Sequence, residues 1–238
     1  MKLLMTGGSG LLGREILKLD PSIISPSHNE MDITDEKKVL AVLQKHQPDI
    51  VLHLAAETKP LEHEETPEPG LRVNIIGTAN VALACHSLGI RMVYTSTDYL
   101  YVGKGPHKED EPILAPYRFS WSKLGGEAAV SLLKDSLVLR LSFGPVPFPW
   151  EKVYKGQYNS KLYVDEIASL VLAAAKSKAL GIMNIGGPRT TLEDYARRTK
   201  HDIETIRKPD WVPVDTSLDI TKMKQALGIE DENSLLKH

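Results

Sequence analysis

The sequence predicts an α/β protein in which helices cover both faces of a parallel β-sheet. Short apolar runs alternate with longer helical patterns through the first 140 residues, and this alternation is typical of β-α-β units. The chain has 238 residues, of which 42% are hydrophobic and 25% are charged. This composition suits one large domain, or one domain with a smaller lobe, around a sizeable core.

The spacing of apolar residues predicts the elements of this sheet. Apolar residues that recur at three- and four-residue intervals mark the helices, and short apolar runs mark the strands. Thr34 or Asp35 would cap the second helix, and Gly89 would end the third. The predicted helices cover residues 11–18, 35–46, 70–88 and 120–134. The predicted strands cover residues 2–6, 22–25, 49–54, 91–95 and 137–141.

A proline-rich segment follows Phe143 and ends the predicted sheet. Its sequence, Gly-Pro-Val-Pro-Phe-Pro-Trp at residues 144–150, can continue neither a helix nor a central strand. We therefore predict a sheet domain at residues 1–142. Residues 143–238 are predicted to form mostly a small lobe, with elements that return to the sheet. The predicted elements of this second part are helices at 164–176 and 192–199 and a strand at 181–185.

Charge and cysteine content exclude several classes of function. The formal net charge is −2, and the basic residues form no stripe that would attract nucleic acid or an anionic membrane. Cys85 is the single cysteine, so the chain offers neither a disulfide framework nor a cysteine-based metal site. The sequence has no signal-peptide core and no apolar run long enough to span a membrane. We expect a soluble, cytoplasmic protein without a metal.

A glycine-rich turn follows the first predicted strand and opens the first predicted helix. Gly7, Gly10 and Gly13 have the spacing Gly-x-x-Gly-x-x-Gly, which is the short-chain dehydrogenase variant of the dinucleotide-binding turn. Gly7 allows the tight turn, Gly10 lets the backbone approach a pyrophosphate, and Gly13 lets the helix pack near the strand. The prediction is a Rossmann-type, doubly wound sheet that binds NAD(P). The other predicted contacts in this turn are Ser9, Leu11 and Leu12.

Two further segments are predicted to contact the dinucleotide. Asp32 and Ile33 precede the second helix, where an Asp followed by an apolar residue can contact the adenine; an ordinary helix cap is the alternative. The third strand ends in small residues, which a cofactor lying across the carboxyl ends of the strands requires for close approach. The predicted contacts at this strand end are Leu54, Ala55, Ala56 and Thr58.

The identity of the nicotinamide cofactor stays open. The second predicted strand ends in Ser25-Pro26-Ser27-His28, with no acid placed to accept the ribose 2′-hydroxyl, which favours NADP(H). Asp32 lies at about the right distance downstream to be that acid. NAD(H) is therefore the alternative.

Several motifs along the chain resemble one known family. The motifs are the glycine turn, Asp32-Ile33-Thr34, Asn74, Ser96-Thr97-Asp98-Tyr99, Lys123 with Gly126-Glu127, and Tyr163-Val164-Asp165. Together they resemble the dTDP-4-dehydrorhamnose reductase family, which belongs to the extended short-chain dehydrogenases/reductases. That family also includes the similar regulatory β subunit of methionine adenosyltransferase. The resemblance covers nearly the whole chain in order.

The resemblance implies roles for residues near the ends of the strands. In such enzymes a Tyr four residues before a Lys donates a proton while NAD(P)H delivers hydride to a ketone. Thr97 matches the hydroxyl that bonds the substrate carbonyl, and Lys123 matches the lysine that holds the nicotinamide ribose. Further contacts with the cofactor are expected from Thr95 and Asn74. Contacts with the substrate are expected from Thr97, Asp98, Tyr99 and Trp150.

The position of the proton-donating Tyr is occupied by Phe119. Loss of a positioned general acid typically costs about 10²–10⁴-fold in rate. Three explanations are open: an engineered change that traps a complex, a natural loss that leaves a binding protein, or replacement by a nearby hydroxyl. Tyr117 lies two residues earlier and would face about 200° away on a helix. Tyr99, Tyr101 or a water relayed from Ser120 is better placed.

These observations lead to two hypotheses. The first is an NAD(P)H-dependent reductase of a keto group on a nucleotide-linked sugar, with Thr97 and Lys123 as catalytic residues and Phe119 at the Tyr position. The second is a non-catalytic NAD(P)-binding protein that regulates or binds a partner. The resemblance also implies a homodimer. Nucleic acid and membranes are not expected as partners.

Overall fold

The structure is a computed structural model that describes residues 1–238, except for the side chains of residues 60 and 61. A parallel sheet of five strands forms its centre, in the order β1-β2-β3-β4-β9. Its strands are buried almost throughout, as expected where helices cover both faces. The strands of the chain are β1 (Leu3–Thr6), β2 (Ile50–His53), β3 (Arg91–Thr95), β4 (Ser136–Leu141), β5 (Phe143–Gly144), β6 (Lys152–Tyr154), β7 (Tyr158–Asn159), β8 (Leu162–Tyr163), β9 (Gly181–Ile185), β10 (Thr190–Thr191) and β11 (Glu204–Ile206).

The helices alternate with the strands of the central sheet, so the predicted fold class is confirmed. Asp35 caps the second helix, because its carboxylate accepts hydrogen bonds from the backbone N–H of Lys37 and Lys38, both at 3.1 Å. Gly89 ends α4 in the left-handed conformation, with φ at +66°. The helices are α1 (Leu11–Leu19), α2 (Glu36–His46), α3 (Pro60–Glu65), a π-helix (Gly70–Gly77), α4 (Thr78–Leu88), α5 (Arg118–Ser131), α6 (Val164–Lys176), α7 (Leu192–Arg197) and α8 (Thr221–Leu227), with short 3-10 turns at Asp98–Leu100 and Glu232–Leu235.

The prediction of a strand at residues 22–25 is wrong. Only Ile24 pairs with β1, through an isolated parallel bridge to Leu4. The backbone N–H of Ile24 donates to Leu3 and its carbonyl accepts from Met5, at 3.0 and 2.7 Å. Pro26 lies two residues further on, lacks an N–H group and restricts Ser25 before it, so the pairing extends no further.

The predicted helix at residues 70–88 consists of two parts. Its first eight residues, Gly70–Gly77, form a π-helix, and the α-helix begins only at Thr78. π-helical turns often occur at functional sites. Asn74 lies within this turn.

Residues after the central β4 form small pairs of strands and then return to the sheet. β5 pairs with β8, β6 with β11 and β7 with β10. Sequence patterns predicted none of these strands, because each has only two or three residues. α6 and β9 were predicted at the observed positions; β9 lies beside β4, and α6 packs against α1. α8 was not predicted. The division of the chain into domains at residue 142 stays a prediction.

The core lies on both faces of the central sheet. On one face α1 and α6 pack through side chains such as Ile16 and Val171, and on the other α2 and α4 pack through Leu43 and Val81. None of the helices in the described part of the chain is both long and apolar enough to cross a bilayer.

Candidate functional site

The glycine turn connects β1 to α1 at the carboxyl edge of the sheet. Gly7 has φ at +74°, and a Cβ there would lie 2.6 Å from the backbone nitrogen of Ala55. A Cβ on Gly13 would lie 2.5 Å from the carbonyl oxygen of Gly7. Both distances are too short for any side chain. The turn therefore requires glycine at these positions.

Open space lies above Gly10 at the start of α1. A Cβ on Gly10 would come within 4 Å only of the Gly7 carbonyl oxygen, at 3.1 Å. No side chain caps this helix, and among the described residues the backbone N–H groups of Leu11 and Leu12 have no hydrogen-bond acceptor. Unpaired N–H groups at the positive end of a helix bind anions. The turn thus has the form that a pyrophosphate requires.

A buried histidine fixes the turn to its neighbours. His53 ends β2, and its ring nitrogens lie 2.7 Å from Thr6 Oγ1 and 3.0 Å from Thr78 Oγ1. Burial lowers the pKa of His53 to about 3, so the ring is neutral at physiological pH. Thr6 Oγ1 also accepts the backbone N–H of Ala55 at 3.2 Å. These bonds hold the ends of β1 and β2 and the start of α4 together.

The other residues predicted to hold the dinucleotide lie near this edge of the sheet and differ in exposure. Leu54, Ala55 and Ala56 are half-buried directly after β2, whereas Ser9 and Thr58 are exposed. Thr95 ends β3, and its hydroxyl donates to the His53 carbonyl at 3.3 Å.

Asp32 and Ile33 are held by local contacts. The carboxylate of Asp32 accepts from the backbone N–H and the hydroxyl of Thr34, at 2.9 and 2.8 Å, and these two bonds lower its pKa. Ile33 is buried against the π-helix, where a Cβ on Gly77 would lie 2.7 Å from Ile33 Cδ1. In this structure both residues therefore stabilise the entry to α2.

Three polar residues follow β3 at the same edge. Thr97 caps the short turn Asp98–Leu100, because its Oγ1 accepts the backbone N–H of Tyr99 at 3.2 Å. The Asp98 carboxyl is buried and accepts the Thr216 hydroxyl at 2.9 Å. Burial raises the pKa of Asp98 to about 6. Tyr99 is the only residue between Met92 and Tyr101 that is not buried.

Phe119 and Lys123 lie one turn apart on α5, which contacts the short turn Asp98–Leu100. Lys123 is 3% exposed, and its ammonium lies 4.4 Å from the centre of the Tyr94 ring. Burial lowers the pKa of Lys123 to about 7, while the charge of Glu127 acts in the opposite direction. Phe119 is also buried, and its ring packs edge-to-face against His63 with ring centres 5.5 Å apart.

Asn74 connects three elements around this site. Its Oδ1 accepts the backbone N–H of Glu57 at 2.8 Å, and its Nδ2 donates to the Glu57 carbonyl and to Ser122 Oγ, at 2.9 and 2.8 Å. The side chain thus ties the segment after β2 to α5 through the π-helix. Its amide is occupied by protein groups, so the structure favours a positioning role.

The sequence analysis did not identify two residues of the site, and it assigned to the substrate one residue that lies in the small lobe. Thr216 and the buried His63 are at the site, but each is far from the motifs along the chain. Trp150, predicted near the substrate, lies in the lobe and is half exposed, with its ring against Phe148 at 5.1 Å between centres.

The sheet order, the glycine turn and the residues after β3 and on α5 define a Rossmann-type protein of the short-chain dehydrogenase/reductase class. The family described as RmlD substrate binding domain matches residues 1–144, which is more than half of the chain. The chain therefore belongs to this family. The match confirms the resemblance found in the sequence.

Curated relatives match over about half of their own length. A dTDP-4-dehydrorhamnose reductase from Streptomyces griseus is 35% identical over 133 residues, covering 53% of this chain and 44% of the relative. The methionine adenosyltransferase 2 subunit beta from Xenopus laevis is 31% identical over 139 residues, covering 53% of this chain and 42% of the relative. Both kinds of protein that the sequence resembles are thus among the relatives.

Solved structures match over nearly the whole fold. A dTDP-4-dehydrorhamnose reductase from Clostridium acetobutylicum superposes with a TM-score of 0.86 and 22% identity, covering 99% of this chain and 96% of that one. A dTDP-4-dehydrorhamnose reductase from Bacillus anthracis in complex with NADP gives a TM-score of 0.84 and 22% identity, covering 94% and 93%. At this identity the match shows the fold.

Proposed function

We propose that this chain is an NAD(P)H-dependent reductase of a keto group on a nucleotide-linked sugar. The observation that carries the proposal is the open, unpaired start of α1 at the same sheet edge as Thr97 and Lys123. Anion-binding N–H groups, a hydroxyl and a lysine at one edge are what dinucleotide-dependent ketone reduction requires. The proposed sugar-nucleotide substrate rests on the relatives named for dTDP-sugar reduction.

The residues present fit a dinucleotide cofactor. The N–H groups of Leu11 and Leu12 would hold its pyrophosphate, Ala55 and Ala56 offer small side chains beside it, and Lys123 would hold the nicotinamide ribose. When bound, the reduced nicotinamide supplies hydride to a carbonyl carbon. Thr97 then orients the carbonyl by a hydrogen bond to its oxygen.

NADP is favoured over NAD as the cofactor. Asp32 is occupied by Thr34, so it is less free to accept a ribose hydroxyl. A structural relative from Bacillus anthracis is in complex with NADP, and a UDP-glucose 4-epimerase from Thermus thermophilus is in complex with NAD. Binding constants for the two dinucleotides decide between them. A homodimer and a cytoplasmic location are further parts of the proposal.

A direct assay tests this function. Protein, NADPH and a dTDP-4-keto-6-deoxy sugar are mixed, and the absorbance of the reduced nicotinamide is followed. The proposal predicts loss of absorbance that depends on both protein and sugar. No oxidation above background, for the wild type and also for Phe119→Tyr, would remove the reductase function.

Phe119 favours a second candidate function. A phenyl ring cannot donate a proton, and the methionine adenosyltransferase subunits among the relatives are named as subunits of another enzyme. The second candidate is a protein that binds the dinucleotide and presents a surface to a partner. It predicts NADPH binding without turnover in the wild type, and its main support is lost if the wild type turns over.

A further inference from the structure

The structure distinguishes the tyrosines that the sequence offers near the missing hydroxyl. Tyr101 is buried, donates to Asn184 Oδ1 at 3.1 Å and accepts from Arg140 at 2.7 Å. The hydroxyl of Tyr117 donates to the carbonyl of Trp211. Within the described residues the hydroxyl of Tyr99 has no hydrogen-bond partner. Tyr99 is therefore the tyrosine of this group whose O–H is free to bond a ligand.

The main chain of Tyr99 is bonded to Thr97, the residue that would orient the substrate carbonyl, and to the start of α5. Its backbone N–H donates to Thr97 Oγ1 at 3.2 Å. Its carbonyl accepts the hydroxyl of Ser120, the residue after Phe119, at 2.7 Å. The main chain of Tyr99 is thus fixed to both the Thr97 turn and the start of α5.

The side chain of Tyr99 packs at the start of α5. Its ring packs edge-to-face against Tyr117 with ring centres 6.0 Å apart, and its surface is partly exposed in a stretch that is otherwise buried. Burial and the nearby charge of Asp98 raise the pKa of Tyr99. The hydroxyl is protonated at neutral pH, and the raised pKa makes it a weaker acid than an unperturbed tyrosine.

We propose that Tyr99 donates the proton that a residue at position 119 cannot supply. This inference rests on the reductase function proposed above. In the step, the carbonyl carbon takes hydride from the reduced nicotinamide dinucleotide, and the electron pair of the C=O bond moves to the oxygen. The O–H bond of Tyr99 breaks as the O–H bond of the alcohol forms. The tyrosinate then takes a proton from solvent.

His63 is the other candidate proton donor beside Phe119. Its ring contacts Phe119, and its Nε2 is buried without a hydrogen-bond partner. That atom is inaccessible to solvent in this structure, whereas Tyr99 is partly exposed. A substrate can therefore reach the tyrosine without displacing the packing around Phe119.

Kinetics of matched variants test the role of Tyr99. Tyr99→Phe is expected to lower kcat by about 10²–10⁴-fold, with KM and NADPH affinity nearly unchanged. Tyr117→Phe removes a hydroxyl of the same kind from the neighbouring ring and is expected to keep kcat within about twofold of wild type. The double variant Tyr99→Phe with Phe119→Tyr is expected to regain activity, because the hydroxyl returns at the family position.

Other kinetic outcomes would overturn the assignment. An unchanged kcat in Tyr99→Phe contradicts it, and a loss in His63→Gln alone assigns the proton to the histidine. A wild type that is inert while Phe119→Tyr turns over also contradicts it, since Tyr99 would then fail to replace the missing group. If every variant binds NADPH and none turns over, the reductase function itself is wrong, and the role of Tyr99 with it.

A spectroscopic measurement tests the contact without turnover. In protein labelled with ¹³C at tyrosine Cζ, the resonance absent from Tyr99→Phe is expected to shift when NADP⁺ and dTDP-L-rhamnose are added. Calorimetry on the same sample reports whether the sugar nucleotide binds. Binding without a shift of the Tyr99 resonance overturns the donor role. Absence of binding overturns the proposed substrate class and the donor role together.

Discussion

The glycine turn and the start of α5 differ in the groups that they offer to a ligand: backbone N–H groups at the turn, and side chains at α5. At the glycine turn, backbone N–H groups and the absence of side chains would form the proposed anion site. Around the start of α5, the side chains of Thr97 and Lys123 would act on the substrate and the cofactor, and Phe119 occupies the position of the family's proton donor. One substitution at position 119 therefore removes a proton donor and leaves the groups at the turn untouched. We therefore expect dinucleotide binding and ketone reduction to be separable in this chain.

The largest effect on NADPH binding is expected from a substitution in the glycine turn. Gly10→Val places a branched side chain in the open space that a pyrophosphate would use, and it should weaken NADPH binding by about 10²–10⁴-fold, since at least two charged hydrogen bonds are lost. Calorimetric titration measures the change. A thermal melt controls for folding, since the new Cβ would lie 3.1 Å from the Gly7 carbonyl oxygen. Unchanged affinity in a folded variant would show that the turn does not bind the cofactor.

A smaller effect on NADPH affinity is expected from the side chain of Lys123 on α5. Lys123→Ala removes hydrogen bonds to one ribose, which corresponds to about 10–10²-fold in NADPH affinity. The same titration measures it. A loss larger than that of Gly10→Val would reverse the comparison, because side chains would then dominate binding.

A substitution of Asn74 tests how α5 is fixed to the segment after β2. Asn74→Ala removes three hydrogen bonds between the segment after β2 and α5 and should lower the free energy of unfolding by about 1–3 kcal/mol. Asn80→Ala, which removes a single bond to the Ile33 carbonyl, is the matched control and should cost less. Urea denaturation measures both. Equal costs would argue against a special positioning role for Asn74.

The last of these predictions concerns pH. Burial lowers the pKa of Lys123 from 10.5 to about 7, so between these values the folded chain binds fewer protons at this group than the unfolded chain. Its contribution to stability therefore rises as the pH increases from about 7 towards 10. Urea denaturation of wild type and Lys123→Met across this range checks the sign. The rise should be smaller in the variant, and an equal rise in both would contradict the assignment.

The sequence predicted most of the central fold for a physical reason. Buried parallel strands form continuous apolar runs, and their helices repeat apolar residues at regular intervals. β9 and α6 were therefore found at their observed bounds. The prediction of a strand at residues 22–25 was wrong, because only Ile24 pairs with the sheet and a single bridge leaves no such pattern. The π-helix was predicted as part of an α-helix because its apolar spacing resembles that of an α-helix.

The site was predictable where motifs lie close together in the chain. Gly7 to Gly13 and Thr97 to Tyr99 were found because each group occupies one turn. The bond from Thr216 to Asp98 joins residues that are 118 positions apart, and local spacing cannot reveal such a contact. The same limit hid His63, which reaches Phe119 only through the packing of α3 on α5.

Transfer of deuterium is the most direct test of the central claim that this chain both holds a dinucleotide and reduces a ketone. NADPH that carries deuterium at the transferred position is incubated with the wild type and a dTDP-4-keto-6-deoxy sugar, and the product is analysed by mass spectrometry. The account predicts one deuterium on the sugar carbon that bore the ketone. NADPH binding without deuterium in the sugar, in the wild type and in Phe119→Tyr, would contradict it.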